Sequence, residues 1–245
     1  MLSAKPWQTE VVIWFCAAQL VSLCAGLTII GILQKAGFAA FQPPAGSGAV
    51  LLGTLTFQGV AWVLILFFLQ QHQVNWRDAF GLRRTELGRA WFPAVPVVIV
   101  FLPVAWLLQY VSVYTLTKIG CPPENEAAVT VLTSVQSWWL RVYLCAFTVV
   151  IGPVAEEFIF RGMLYPLLKQ RDRPRLAWFG VSFLFALVHW DVATFVPLFV
   201  LALVLTWLYE KTDSLLAPIT GHAFFNAVNL VLLYYFQFEF KPDHA

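Results

Sequence analysis

Two adjacent carboxylates and a guanidinium, Glu156, Glu157 and Arg161, stand inside an otherwise apolar run at residues 150–165. A charge at membrane depth costs about 2.5 kcal/mol or more, so such groups are functional candidates. On a helix Glu157 and Arg161 are four apart and share a face, with the acid in the favoured N-terminal position for an ion pair. Glu156 is turned about 100° from that pair. The spacing predicts a Glu157–Arg161 clamp and leaves Glu156 as the free, reactive carboxylate. Gly152 and Pro153 just upstream are expected to kink or restart the helix, because proline removes a backbone donor and clashes with the preceding turn.

Two later apolar stretches carry His189, four residues after Phe185, and Asn226, four residues after His222. Alone, either histidine reads as a hydrogen-bonded core residue and the asparagine as interhelical glue. Together with two carboxylates they permit hydrolysis of an acyl bond. In an apolar, water-poor cavity desolvation makes a carboxylate a stronger base, suited to work near neutral pH. His189 is the natural second proton handler, holding the attacking water or protonating the leaving amine. His222 and Asn226 share a helix face and can both donate to one oxygen. Holding a tetrahedral oxyanion in this way is worth ~3–4 kcal/mol per donor. No serine or cysteine stands in a comparable position, which favours water as the nucleophile. Phe185 is expected to wall the cavity. Competing readings are a proton-coupled transporter, with Glu156, Glu157, His189 and His222 as a relay, and a non-catalytic membrane scaffold. A relay needs neither Asn226 nor an arginine holding Glu157 charged, and no inverted repeat is visible. His72 and His244 are assigned no role.

The elements that must position these groups follow from composition. The 245 residues are 60% hydrophobic and 11% charged, against about 25% charged in a soluble domain, and mean hydropathy is +0.75. This predicts an all-α polytopic transmembrane bundle, one domain over 1–245, with seven spans and eight as the alternative. The spans are expected near 11–33, 49–69, 91–117, 138–168, 175–190, 193–209 and 214–236. Residues 1–137 carry no motif, and 138–236 carry all of them. The first run is read as a retained helix, because Glu10 spoils a basic leader region and the run is too long for a signal peptide. Arg77, Arg83, Arg84 and Arg89, interleaved with Trp76 and Phe80, read as an interfacial segment. The loop 118–137 is acidic at Glu124 and Glu126. Cys16, Cys24, Cys121 and Cys145 show no metal-ligand spacing, and the three in apolar runs, Cys16, Cys24 and Cys145, read as small buried hydrophobes.

Counting lysines and arginines by alternate loops puts ten on the N-terminal side and four on the other, which predicts N-terminus in and C-terminus out. Depth can then be compared at ~1.5 Å rise per residue. Glu156 lies thirteen residues from Lys169, His189 fourteen from Arg175, and Asn226 thirteen from Asp213. All three distances are ~20 Å, so three separate helices deliver their polar groups to one level.

Glu156-Glu157-x-x-x-Arg161, Phe185-x-x-x-His189 and His222-x-x-x-Asn226 resemble the three signatures of the CAAX protease and bacteriocin-processing (CPBP) intramembrane proteases. That group includes the type II CAAX prenyl endopeptidases. The resemblance covers about residues 138–230 and makes 138–236 a CPBP-like catalytic core. It implies a glutamate-type endopeptidase with its site inside the membrane, in which Glu156 with His189 activates water. His222 with Asn226 would form the oxyanion hole, and Glu157 and Arg161 would support the site. The implied partners are a membrane-associated protein or peptide substrate and the lipid bilayer, with no nucleic acid, and the implied location is a bacterial cytoplasmic membrane. No cofactor is expected. The family has also been described as metalloproteases, and zinc on Glu156, His189 and His222 stays open as the alternative, although no HExxH occurs.

Overall fold

The computed structural model describes residues 5–42, 46–81, 93–123, 127–135 and 137–239, and every regular element among them is helical. The main helices are α1 (Thr9–Lys35), α2 (Ser47–Gln71), α3 (Ala94–Lys118), α4 (Trp138–Lys169), α5 (Pro174–Leu187), α6 (Val192–Thr212) and α7 (Leu216–Glu239). Six of these, all but α5, are long and apolar enough to cross a membrane. The outward faces stay apolar, with Trp14, Leu20, Val21, Val100, Leu107 and Tyr110 exposed. Helices that are hydrophobic all round belong in a bilayer, where only helices or closed barrels satisfy their own backbone.

Three expectations need correction. The fifth predicted span, 175–190, ends at Leu187. Its 14 residues rise ~21 Å, short of a ~30 Å hydrocarbon core, so among the described residues the long spans number six rather than seven. Trp190 takes a left-handed conformation, φ 55°, and Asp191 caps α6 by accepting from the Ala193 amide at 2.9 Å, which is why the helix stops early. Cys16 and Cys24 are exposed on the outside of the bundle rather than buried. The predicted loop 118–137 contains a short helix, Ala127–Ser134. The stretch read as interfacial carries a helix of its own, Trp76–Phe80, started by Asn75, whose side chain accepts from the Asp78 amide. Arg83, Arg84, Arg89, Glu124, Glu126, Lys241 and His244 lie outside the described residues.

Contacts at one end of the bundle tie together loops distant in sequence. Gln170 donates to the Lys5 carbonyl, and Arg171 to the Thr9 hydroxyl. Lys169 and Tyr165 both bond Glu210, and Ser214 donates to the Gly81 carbonyl. Lys5, Lys169, Arg171 and Lys211 therefore share an end. Although α5 is short, it starts at that end and runs antiparallel to α6, with Trp178 donating to the Leu203 carbonyl and Phe183 against Phe195.

Three widened, π-helical turns interrupt the long helices, at Leu55–Gly59, Phe147–Ile151 and Phe158–Leu164. Such turns shift the backbone ladder by one residue and leave carbonyls to be satisfied from outside. Each is served by a side chain from elsewhere in the fold. Gln19 and Ser22 of α1 donate to the Phe57 and Thr56 carbonyls, both at 2.7 Å. Asn226 of α7 donates to Thr148 at 2.9 Å, and Trp7 donates to Gly162 at 2.6 Å.

Candidate active site

The middle of α4 supplies both carboxylates from six ordinary α-helical residues, Gly152–Glu157, lying between two of the π-helical turns. Gly152 gives α2 a close approach: a β-carbon would lie 2.7 Å from Gln58 Nε2, so any other residue would push the end of the Gln58 side chain aside.

Glu157 and Arg161 form the ion pair that their spacing predicts, Nη1 to Oε1 at 2.8 Å, with both side chains fully buried. Arg161 is held on every side. Its Nη2 donates to the Ala202 carbonyl at 3.0 Å and its Nε to the Thr206 hydroxyl at 3.3 Å. Its guanidinium also lies over the Phe185 ring, 4.6 Å from the centroid. A buried charge with partners for most of its donors is tolerable where an unpaired one is not. Thr206 was not singled out from the sequence. The available signal was a hydroxyl inside the apolar run of α6, a common feature that carries little information by itself.

His222 joins the two acids. Its Nδ1 lies 2.8 Å from Glu157 Oε1 and its Nε2 lies 3.9 Å from Glu156 Oε2. The ionised carboxylate paired with Arg161 only accepts, so Nδ1 carries the proton and Nε2 is the nitrogen turned towards Glu156. The side chain of Glu156 keeps 17% of its exposure, whereas Glu157 has none. The second oxygen of Glu157, Oε2, is buried without a hydrogen-bond partner.

Phe185 is more than a wall. Its fully buried ring touches Arg161, stands edge-on to His222 at 5.6 Å and lies 4.8 Å from the His189 ring. His189 follows the end of α5 and directs Nδ1 to the Phe185 carbonyl at 2.7 Å. A carbonyl only accepts, so the neutral ring carries its proton on Nδ1 and its lone pair on Nε2. Among the described residues no hydrogen bond or ion pair joins His189 to Glu156, and the imidazole nearest Glu156 is His222. Asn226, one turn beyond His222, uses Nδ2 on the Thr148 carbonyl. The structure thus brings Glu156, Glu157, Arg161, Phe185 and His222 into one cluster, with His189 on its Phe185 side and Asn226 tied to α4 upstream of the acids.

Among the described residues no three His, Cys, Asp or Glu side chains converge as a metal-ligand set. The trio zinc would need, Glu156, His189 and His222, is not assembled. A cavity of about 580 Å³ lies between α3 and the α5–α6 turn, lined by Leu108, Ser112, Ala186, Trp190 and Phe195 among others and by no residue of the cluster.

Residues 137–228, which contain every motif described, match the family model of the type II CAAX prenyl endopeptidases, Rce1-like. The resemblance read from the sequence is thereby borne out over that stretch. The Bacillus subtilis (strain 168) protein described as "Putative membrane peptidase YdiL" is 25% identical over 119 residues. That match covers 49% of this chain and 47% of the relative, so the chain matches about half the length of that protein. No solved structure matches.

Proposed function

We propose that this chain is an intramembrane endopeptidase that hydrolyses a peptide bond of a membrane-associated protein or peptide. The observation that carries the reading is His222 set between two unequal carboxylates. Glu157, locked by Arg161, orients the ring, while Glu156 faces it across 3.9 Å and keeps partial exposure. That gap is too long for a hydrogen bond, and a water hydrogen-bonded to both Oε2 and Nε2 suits it.

Glu156 takes the proton from this water as it attacks the carbonyl carbon. Glu156, now protonated, returns that proton to the leaving amine, while His189, the second proton handler, accepts a hydrogen bond from the attacking water at the Nε2 lone pair. When His222 is protonated, its charge and that of Arg161 balance those of Glu156 and Glu157, and Nε2–H becomes a donor. Together with the Asn226 amide it stabilises the oxyanion. Zinc has no part in this scheme. The location is a bacterial cytoplasmic membrane, with the lysine- and arginine-rich end inside.

The test compares the termini of membrane proteins in cells carrying the native chain and cells carrying Glu156→Gln. New termini that appear only with the native chain support the proposal and identify the substrate. Identical termini in both would overturn it.

A further inference from the structure

We infer that Pro153 and the backbone carbonyl of Thr148 set the position of the Asn226 amide, an inference that rests on the oxyanion role proposed above. The Gly152 amide bonds Phe147, five residues back, and so is not spent on Thr148. The next amide in that register would be residue 153, which is proline and has no N–H. The Thr148 carbonyl is therefore left without a backbone donor by two coincident causes.

Asn226 takes the vacancy, with Nδ2 at 2.9 Å. Since a carbonyl only accepts, the amide nitrogen and not its oxygen must face Thr148, which fixes the flip of the side chain. The amide has two N–H groups. One is committed to Thr148, and the second is left for another acceptor. A free asparagine side chain would sample several rotamers, whereas this one is oriented before any substrate arrives. Preorganised donors of this kind stabilise a developing charge without reorganising. Pro153 contacts no reacting atom in this scheme. It acts through the carbonyl it leaves open, as a positioning residue.

The same arrangement explains why the asparagine sits one turn beyond His222. It must reach back to α4 at Thr148, two turns upstream of Glu156, while His222 reaches the acids themselves.

The experiment uses the full chain in bilayers, with threonine labelled at its ¹³C carbonyl and valine at ¹⁵N. Thr-Val pairs occur only at 130–131 and 148–149, so two carbonyl signals appear and the second belongs to Thr148. Asn226→Ala should move the Thr148 signal upfield, as expected for a carbonyl losing its donor, and leave Thr130 in place. With Pro153→Ala, which restores a backbone N–H, the same Asn226 change should move it much less. Turnover of a farnesylated CAAX peptide, bearing a fluorophore and a quencher, supplies the second readout. Pro153→Ala should lower kcat by ~10–10²-fold with little change in KM, the scale of a misplaced group. Its effect should not add to that of Asn226→Ala. A Thr148 signal indifferent to Asn226→Ala overturns the inference, and that variant leaves the proline helix untouched. A signal that moves while Asn226→Ala keeps full peptide turnover leaves the positioning intact and overturns the oxyanion reading instead.

Discussion

The indole N–H of Trp7 donates to the backbone carbonyl of Gly162 at 2.6 Å, a buried bond between residues 155 positions apart. Gly162 lies four residues before Pro166, the residue that would otherwise donate to it in an α-helix. Trp7 also packs against Phe68 and His72, and the backbone amide of Gln8 donates to His72 Nε2. The segment before α1 is thus tied to the π-helical turn that carries Arg161, although it lies far from the motifs in sequence.

Trp7→Phe keeps the ring packing and removes only the donor. Leaving a buried carbonyl unsatisfied costs about 1–3 kcal/mol, so Tm in detergent should fall. Adding Pro166→Ala supplies a backbone N–H and should recover part of the loss. Equal Tm for Trp7→Phe and the native chain would show that the bond contributes nothing.

The two carboxylates should fail differently. Glu156→Gln is expected to abolish turnover while the protein remains folded in the membrane, because the buried hydrogen bonds of Arg161 and His222 are made to Glu157 and Ala202 and not to Glu156. Arg161→Ala strands Glu157 in the core at a cost of ~3–5 kcal/mol. Thermal unfolding in detergent checks both, and an Arg161→Ala protein as stable as the native one would contradict the clamp.

Exhaustive chelation should leave activity intact, and elemental analysis should find zinc well below one per chain. Loss of activity on chelation, restored by zinc alone, would require Glu156, His189 and His222 to move together into a ligand set.

Asn226→Ala should lower kcat by ~10²–10³-fold with little change in KM, since an oxyanion donor matters chiefly in the transition state. Asn226→Asp should be at least as damaging. It keeps the shape, replaces both N–H donors with a carboxylate, and sets that carboxylate against the Thr148 carbonyl. A proton relay would lose little from Asn226→Ala, because an amide does not titrate in the physiological range. Full peptidase activity in Asn226→Asp at neutral pH would remove the residue from the mechanism.

What the sequence determined by itself is what helical spacing and composition can carry. Charges and histidines in apolar runs marked α4, α5 and α7 as the helices that matter. The four-residue step from Glu157 to Arg161 encodes their pairing, because both ends of that contact lie on one helix. Contacts between helices depend on the rotation and relative depth of each, which no local pattern records. Only the tertiary structure could decide that His222 bridges both carboxylates, that Phe185 is shared by Arg161 and both histidines, or that Ala202 and Thr206 hold the guanidinium. Pro153 and Pro166 announced missing donors in the sequence. Which carbonyls they would leave open depended on the π-helical register of α4, and which side chains would fill them, Asn226 and Trp7, on how the distant chain packs against it. The early end of α5 was hidden for a similar reason. Its apolar run continues unbroken through Val188, and the turn that stops it is stabilised by the Asp191 cap on the next helix.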